Sequence, residues 1–200
     1  MENKNFLQEI ALLRKQAMAL GEPVLREQSY QLLLKTIVQV QPKKILEIGT
    51  NLGLSGISML LTCGGATLSG IEIDEEKIVK AEKNYIYFGV RDRAKIFRGD
   101  AGEIIPLLTG KYDFIFLDGP KGHYAEYLEN LLPILNKNGV LFADNVLFRG
   151  YVDGRVKSPH RFNTTKNSMQ KFLSKITNDK CLKTQIYDIE DGVSITQKLI

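Results

Sequence analysis

Short apolar runs alternate with amphipathic segments through the middle of this chain, and that alternation limits the folds open to it. Five runs are typical of buried strands: residues 43–49, 66–73, 94–100, 112–119 and 139–146. The segments between them with helical spacing are residues 54–62, about 75–88 and about 124–135. Strands that alternate with helices build a parallel sheet covered on both faces. The sequence therefore predicts an α/β protein.

The two ends of the chain depart from this alternation. Residues 4–20 and 24–40 each carry apolar positions at helical spacing, which predicts two N-terminal helices. Residues 183–189 and 192–199 are short alternating runs, which predict an antiparallel hairpin at a sheet edge. We therefore expect one domain over residues 1–200, with a mostly parallel sheet, an antiparallel C-terminal strand and helices on both faces.

Cysteine usage and hydropathy indicate the compartment. The first residues lack the basic and then apolar layout of a signal peptide. No apolar run approaches the roughly 20 residues that span a bilayer. Cys63 and Cys181 are far apart in sequence and form no metal or redox motif. We expect a cytoplasmic protein with reduced, buried thiols and no membrane partner.

Three glycines follow the first predicted strand: Gly49, Gly53 and Gly56. Their spacing differs from the G-x-G-x-x-G of dinucleotide-binding turns, and the missing Gly-Lys-Ser/Thr excludes a P-loop. With Glu47 beside it, the turn resembles the methyltransferase form, whose ligand S-adenosylmethionine carries ammonium and sulfonium charges and no phosphate. Glu72 ends the second strand, where a carboxylate can accept hydrogen bonds from ribose hydroxyls, although it could be an ordinary strand-end acid.

Polar residues follow two further strands. Asp118 comes after one apolar run, and Asp144 and Asn145 come after another. Each acid alone is more often a helix cap or a turn residue. If the two strands are neighbours, however, three oxygen ligands meet at one edge of the sheet, and such a set favours a hard cation such as Mg²⁺.

Two of these stretches carry a specific resemblance. YDFIFLDGPKGHY (residues 112–124) and GVLFADNVLFRG (residues 139–150) are similar to the metal-dependent O-methyltransferases, the family of catechol and caffeoyl-CoA O-methyltransferases. The resemblance extends from about residue 22 to residue 198. It implies a Rossmann-like class I methyltransferase fold with S-adenosylmethionine and Mg²⁺ as cofactors. It also implies a homodimer, in which the N-terminal helices (residues 1–40) are the expected contact.

The resemblance also implies roles for particular residues. The metal ligands fall on Asp118, Asp144 and Asn145. The residues that bind the methyl donor fall on Glu47, Gly49, Thr50, Ser55, Glu72, Asp100, Ala101 and Asp118. The catalytic lysine falls on Lys121, working beside Asp118. A neutral Lys121 would accept the proton of the acceptor hydroxyl, and a charged one would stabilise the oxyanion.

Two departures from catechol-type members bear on the substrate. Ser194 stands where those members carry an acid that holds the second phenol hydroxyl, and the chain has no tryptophan to wall a catechol pocket. Both features argue against a free catechol.

The distribution of charge indicates another class of substrate. Residues 1–148 hold 17 Lys/Arg and 18 Asp/Glu, whereas residues 149–200 hold ten and five. The basic stretch, residues 149–175, is expected to form a loop and helix at the mouth of the active site. Its candidate RNA-binding residues are Arg149, Arg155, Lys157, Arg161 and Lys166. A solvated surface helix and loop is the plainer interpretation of the same charges.

DNVLFRGYV (residues 144–152) and DGVSIT (residues 191–196) resemble the bacterial branch of the family that acts on tRNA. That branch methylates 5-hydroxyuridine at the wobble position of the anticodon to 5-methoxyuridine. Two alternatives stay open: a methyltransferase of small catechols or hydroxycinnamoyl thioesters, and a basic protein that binds RNA or S-adenosylmethionine without chemistry.

Overall fold

The computed structural model describes residues 6–200, apart from the side chain of Leu7. The strands are β1 (Lys44–Ile48), β2 (Thr67–Glu72), β3 (Ala94–Arg98), β4 (Tyr112–Leu117), β5 (Leu135–Asp144), β6 (Leu182–Tyr187) and β7 (Val193–Lys198). The helices are α1 (Phe6–Ala19), α2 (Glu27–Val40), α3 (Leu54–Thr62), α4 (Glu75–Tyr87), α5 (Ala101–Ile104), α6 (Tyr124–Ile134) and α7 (Asn163–Asn178).

All seven strands form one sheet, in the order β3-β2-β1-β4-β5-β7-β6. The pairs among β1 to β5 are parallel, and β7 runs antiparallel between β5 and β6. Carboxyl ends of β1, β2, β4 and β5 therefore meet at one edge, where ligands bind in open α/β sheets. The predicted α/β fold with an antiparallel C-terminal strand is confirmed.

Helices cover both faces of the sheet. On one face α1, α2 and α3 pack on residues such as Ile45 and Phe116, and on the other α6 and α7 pack on residues such as Leu46 and Leu141. Neighbouring residues of β1 point to opposite faces and are both buried, because the strand is covered twice. This double burial explains why the parallel strands are continuous apolar runs in the sequence.

Helix α2 begins later than the apolar spacing predicts, at Glu27 instead of residue 24. The carboxylate of Glu190, in the turn between β6 and β7, accepts hydrogen bonds from the backbone N–H groups of Gln28 (3.1 Å) and Ser29 (3.0 Å). The free N–H groups of the first helical turn are thus satisfied by a distant residue. Helix α1 agrees with the prediction, of which residues 4 and 5 lie outside the described part of the chain.

Three further expectations need correction. Strand β5 begins at Leu135, four residues before the predicted start at residue 139, because the chain passes directly from α6 into the strand. Helix α7 continues to Asn178, beyond the predicted end of the basic stretch at residue 175. Cys63 is buried as expected, but Cys181 is partly exposed; both are free thiols.

Within residues 6–200, no helix is long and apolar enough to cross a membrane. Helix α1 presents Leu12 and Met18 to solvent, at 57% and 50% exposure. Contact between two chains through the N-terminal helices stays a prediction.

Candidate active site

A cavity of about 310 Å³ opens at the carboxyl ends of β1, β2 and β4. The predicted donor-binding residues that line it are Gly49, Thr50, Ser55, Glu72, Asp100, Ala101 and Asp118. Lys121 lines the same cavity. The fold thus brings together residues that are up to 72 positions apart in the sequence.

The turn after β1 depends on glycine at two positions. Gly49 and Gly53 have φ values of +89° and +76°, in the left-handed region that favours glycine. A Cβ at Gly49 would collide with the backbone carbonyl of Asp118, and one at Gly53 would lie 2.8 Å from the ring of Tyr85. Gly49 therefore allows the turn to pack directly against the end of β4, and Gly53 allows it to pack against α4.

Glu72 has a structural task besides the predicted one. One carboxylate oxygen accepts from the backbone N–H of Asn51 at 2.7 Å, and the other accepts from Ile73 and Asp74 at 3.0 Å each. A carboxylate has about four acceptor sites, so only one remains for a ribose hydroxyl without displacement of a backbone donor. Glu72 thus fixes the glycine turn and keeps part of its capacity for a ligand.

Asp100 and Tyr127 stand together at the other end of the cavity. Asp100 caps α5 by accepting a hydrogen bond from Gly102 N–H at 2.7 Å. Tyr127 is 3% exposed and lines the cavity. Burial, and then the nearby Asp100 carboxylate, raise the pKa of Tyr127 to about 12, so its hydroxyl stays a hydrogen-bond donor. His123 stacks on its ring at 5.7 Å and is exposed.

The predicted metal ligands follow two paired strands. Leu117 at the end of β4 pairs with Ala143 in β5, so Asp118 and Asp144 come next on neighbouring strands. The buried hydroxyl of Tyr124 donates to both strand ends, with the carbonyls of Leu117 at 3.1 Å and Asp144 at 3.2 Å. This arrangement confirms the sequence expectation that the two acids share one edge.

Asp144 is a buried acid with an unsatisfied oxygen. Its side chain is 4% exposed, and its Oδ1 has no hydrogen-bond partner among the described residues. Burial first, and then the charge of Asp118, raise the pKa of Asp144 to about 7, while Lys121 opposes the shift. Lys121 itself donates to Asp118 Oδ1 at 2.9 Å. Two carboxylates and one amine thus converge beside the donor cavity.

These residues fit a hard divalent cation. A buried carboxylate oxygen without a partner is costly unless something binds it. In the described part of the chain, no three His, Cys, Asp or Glu side chains come together as a metal site. The predicted set has only two acids, Asp118 and Asp144, and its third member is the amide of Asn145, whose backbone is left-handed at φ 56°. Such an oxygen set suits Mg²⁺ and leaves room for other ligands.

The basic stretch lies beside this edge. Its loop leaves β5 directly, and α7 approaches the turn of Lys121, where Thr165 Oγ1 lies 3.8 Å from the place of a Cβ at Gly122. Arg149, Lys157 and Arg161 are exposed, and Lys166 is partly buried.

Arg155 departs from the expectation of a free cation. Its guanidinium pairs with Asp153 at 2.6 Å and with Asp188 at 2.9 Å. These pairs raise the pKa of Arg155 and satisfy its charge within the protein. Arg155 is therefore a weaker candidate for binding phosphate than its neighbours.

A family profile described as O-methyltransferase matches residues 2–199. The chain belongs to the O-methyltransferase family. The predicted enzyme class, an S-adenosylmethionine-dependent O-methyltransferase, is thereby confirmed at the level of the family.

Relatives of this O-methyltransferase include the catechol O-methyltransferase of Sus scrofa, 33% identical over 144 residues, which are 66% of this chain and 77% of that protein. O-methyltransferase hkm8 of Aspergillus hancockii is 30% identical over 120 residues, 56% of this chain, and the match spans only 46% of that longer protein. A Staphylococcus aureus structure, assigned provisionally as a caffeoyl-CoA O-methyltransferase, superposes with a TM-score of 0.85 at 27% identity, covering 94% and 91% of the two chains.

Glu47 is the predicted donor-binding residue of this O-methyltransferase that does not line the cavity. It is fully buried behind the glycine turn, and neither carboxyl oxygen has a partner among the described residues. Gly56 leaves space for it, since a Cβ there would lie 2.8 Å from Glu47 Oε2. Burial, followed by the charges of Asp118 and Glu72, raises the pKa of Glu47 well above its ordinary value. Glu47 therefore lies behind the cavity wall, and its contact with the donor stays a prediction.

Replacing Glu47 by Gln should make stability less dependent on pH. Because folding raises the pKa of Glu47, its stabilising effect is fully present below the unfolded pKa of about 4.3 and is lost as pH rises through the folded value. Urea unfolding of both proteins between about pH 5 and pH 9 measures this difference. The E47Q variant should gain stability relative to wild type as pH rises; a constant difference across the range would contradict the buried neutral carboxyl.

Several cavity residues escaped the sequence interpretation. Asn51, Lys77 and Tyr127 line the cavity, as do Val24 and Leu25 from the segment before α2. Of these residues only Asn51 could have been found from the sequence, because it lies within the glycine turn. The others come from helices and loops whose packing alone brings them there. Ser194, predicted to bear on the substrate, is fully buried opposite Ala143.

Proposed function

We propose that this O-methyltransferase uses Mg²⁺ to transfer a methyl group from S-adenosylmethionine to the 5-hydroxyl of 5-hydroxyuridine at the wobble position of tRNA. The observation that carries the proposal is the position of Asp118. It lines the donor cavity, contacts Lys121 at 2.9 Å and lies on the strand next to Asp144. Donor, cation and acceptor can therefore meet around one side chain.

The donor cavity supports S-adenosylmethionine as the methyl source. Glu72 and the glycine turn would hold the ribose and the methionine part, and Asp100, Ala101 and Tyr127 would surround the adenine. Asp118 places a negative charge near the cationic sulfonium end. The glycine turn, residues 49–56, has no lysine or arginine that could bind a phosphate. This composition agrees with a donor that carries no phosphate.

Asp118, Asp144 and Asn145 would hold the cation. Bound there, Mg²⁺ lowers the pKa of a hydroxyl that binds it together with a neighbouring oxygen. The 5-hydroxyl and O4 of 5-hydroxyuridine are such a vicinal pair. Asp144 Oδ1 supports this assignment, because it is buried without a hydrogen-bond partner among the described residues and a cation would supply one.

Lys121 would act on the hydroxyl of the acceptor that receives the methyl group. The acceptor oxygen attacks the methyl carbon, the new O–C bond forms as the S–C bond breaks, and S-adenosylhomocysteine leaves. A neutral Lys121 amine, which Asp118 Oδ1 holds in place, would accept the hydroxyl proton, whereas a charged one would stabilise the oxyanion. All atoms are accounted for by the two substrates and this lysine.

Position and charge of the basic stretch support RNA as the acceptor. Arg149, Lys157 and Arg161 are exposed on the stretch whose helix α7 contacts the turn of Lys121, and the phosphates that flank an unpaired base could bind there. An anticodon wobble base is unpaired and can enter a pocket of this kind.

A small phenol is the second candidate. Vicinal oxygens of a catechol would chelate the same cation, and the Sus scrofa relative is named for that substrate. The absence of tryptophan from the sequence and the burial of Ser194 favour RNA over this alternative.

The deciding experiment offers both substrates to the purified protein. Labelled S-adenosylmethionine and Mg²⁺ are incubated in parallel with unmethylated 5-hydroxyuridine tRNA and with a small catechol. Label in the tRNA, abolished by a chelator and restored by Mg²⁺, is expected. Label in the catechol alone would contradict the RNA substrate, and transfer that persists in the chelator would contradict the cation.

A further inference from the structure

Three aromatic rings form a cluster in the loop that follows the predicted metal ligands. In this aromatic triad (Phe148, Tyr151 and Phe162), Tyr151 and Phe162 stack with centroids 5.7 Å apart and an interplanar angle of 23°. Phe148 meets each of them edge to face at 5.6 Å. The guanidinium groups of Arg149 and Arg161 lie over the Phe162 ring, at 5.6 and 4.8 Å from its centroid.

The aromatic triad is placed against the candidate active site from two sides. The backbone N–H of Phe148 donates to the carbonyl of Asn145 at 3.1 Å, which closes a turn and keeps the two Cα atoms within about 7 Å. On the other side, Phe162 immediately precedes α7, whose Thr165 lies against Gly122 beside Lys121. The rings therefore border the acceptor side of the site.

A rigid backbone holds the rings there. Phe148, Arg149 and Gly150 have consecutive φ values of +41°, +60° and +72°, which non-glycine residues rarely adopt. The turn after β6 secures this conformation, since Asp191 accepts from Leu147 N–H at 2.9 Å and, through Oδ1, from Arg149 N–H at 2.6 Å. Such strain is retained where a defined arrangement is needed.

The aromatic triad is more exposed than the residues that anchor the loop. Val146, Leu147 and Val152 are buried and attach the loop to the core. All three aromatic rings remain partly exposed, and the two arginines over them are exposed. The loop is thus anchored by its aliphatic residues, and rings and cations are left at the surface next to the site.

We propose that the aromatic triad is a stacking surface for an unpaired nucleobase next to the nucleotide that is methylated, an inference that rests on the proposed RNA substrate. Aromatic rings between cations are how proteins bind single-stranded nucleic acid, because every base has a face that stacks and every linkage has a phosphate. Arg149 and Arg161 bind phosphates of the same RNA strand, and their guanidinium groups pack on the ring of Phe162. A small phenol has no neighbouring base and would not use this surface.

Two variants, Tyr151→Leu and Phe162→Leu, test the surface, because each keeps an apolar side chain and removes only the aromatic face. Binding of a seven-nucleotide single-stranded RNA with the anticodon-loop sequence is followed by fluorescence anisotropy at several salt concentrations. Each variant should raise the Kd by about fivefold to a hundredfold, the range for loss of one stacked base. The slope of log Kd against log salt should not change, since no phosphate contact is removed.

The matched control is Phe97→Leu, which removes a partly exposed ring beneath the Lys95 ammonium on β3, at the opposite edge of the sheet. This control should bind RNA as wild type does. S-adenosylhomocysteine binding by all three variants verifies that they are folded.

Unchanged RNA affinity in both Leu variants, or no RNA binding by wild type, would overturn the stacking surface. Failure of the proposed function has a different signature: wild type would bind the RNA in a ring-dependent way and yet transfer no methyl group to 5-hydroxyuridine tRNA.

Discussion

Asp144→Ala should abolish methyl transfer while the protein still binds S-adenosylmethionine. The variant removes the carboxylate whose Oδ1 has no protein partner, and with it one of two acids proposed to hold the cation. Loss of a direct ligand should exceed the roughly 10- to 100-fold effect of removing a residue that only supports a ligand. Donor binding should persist, since Asp144 is not among the residues that line the donor cavity.

Two measurements check this expectation. Initial rates with labelled S-adenosylmethionine give the loss of activity, and calorimetric titration with S-adenosylhomocysteine gives the donor affinity. Asp92→Ala, at the opposite end of the sheet, controls for the loss of an acid as such. Turnover at the wild-type rate by the D144A variant would rule out the cation-dependent mechanism.

Lys121→Met should lower kcat by about two to four orders of magnitude, the usual contribution of a positioned acid or base. The substitution keeps the length and apolar stem of the side chain but removes the amine that contacts Asp118 Oδ1. Since the amine acts on the acceptor oxygen in the transition state, kcat should fall more than the affinity for either substrate.

Lys77→Met is the matched control, because Lys77 lines the same cavity. It lies on α4, which follows β2, and β2 is three strands away from β5 and Asp144 in the sheet. Its loss should alter the KM for the donor at most and leave kcat near the wild-type value. If both substitutions lowered kcat equally, Lys121 would contribute only its positive charge to the cavity and would have no role in the methyl-transfer step.

Local chemistry made much of this fold predictable. Strands β1, β2 and β4 are apolar on both faces, so their sequences differ from the amphipathic helices between them. The glycines at 49 and 53 and the acids at strand ends also follow local rules, because a parallel sheet gathers its carboxyl ends at one edge. These features needed no knowledge of which distant residues meet.

Contacts between distant parts of the chain are what the sequence could not reveal. Glu190 caps α2 through Ser29 across 161 residues, and nothing in the sequence near residue 27 indicates that partner. Glu47 sits beside the turn in sequence, yet its carboxyl group lies against Gly56 and does not line the cavity. Arg155 forms an ion pair with Asp188, which lies in the turn between β6 and β7. A count of charges along the basic stretch could not reveal this pair.

The position of β7 determines when the site can assemble. Among the strands in residues 6–200, β7 comes last along the chain and yet lies inside the sheet, paired with β5 through Asp144 and Val193. Until residues 193–198 have been synthesised, β5 is an open edge, and no strand holds the turn of Asp191 beside the loop after Asn145. A nascent chain stopped before residue 193 would have the donor half of the fold and no acceptor half. Catalytic competence would then arise in one step at the end of translation of this region, instead of growing gradually with the chain.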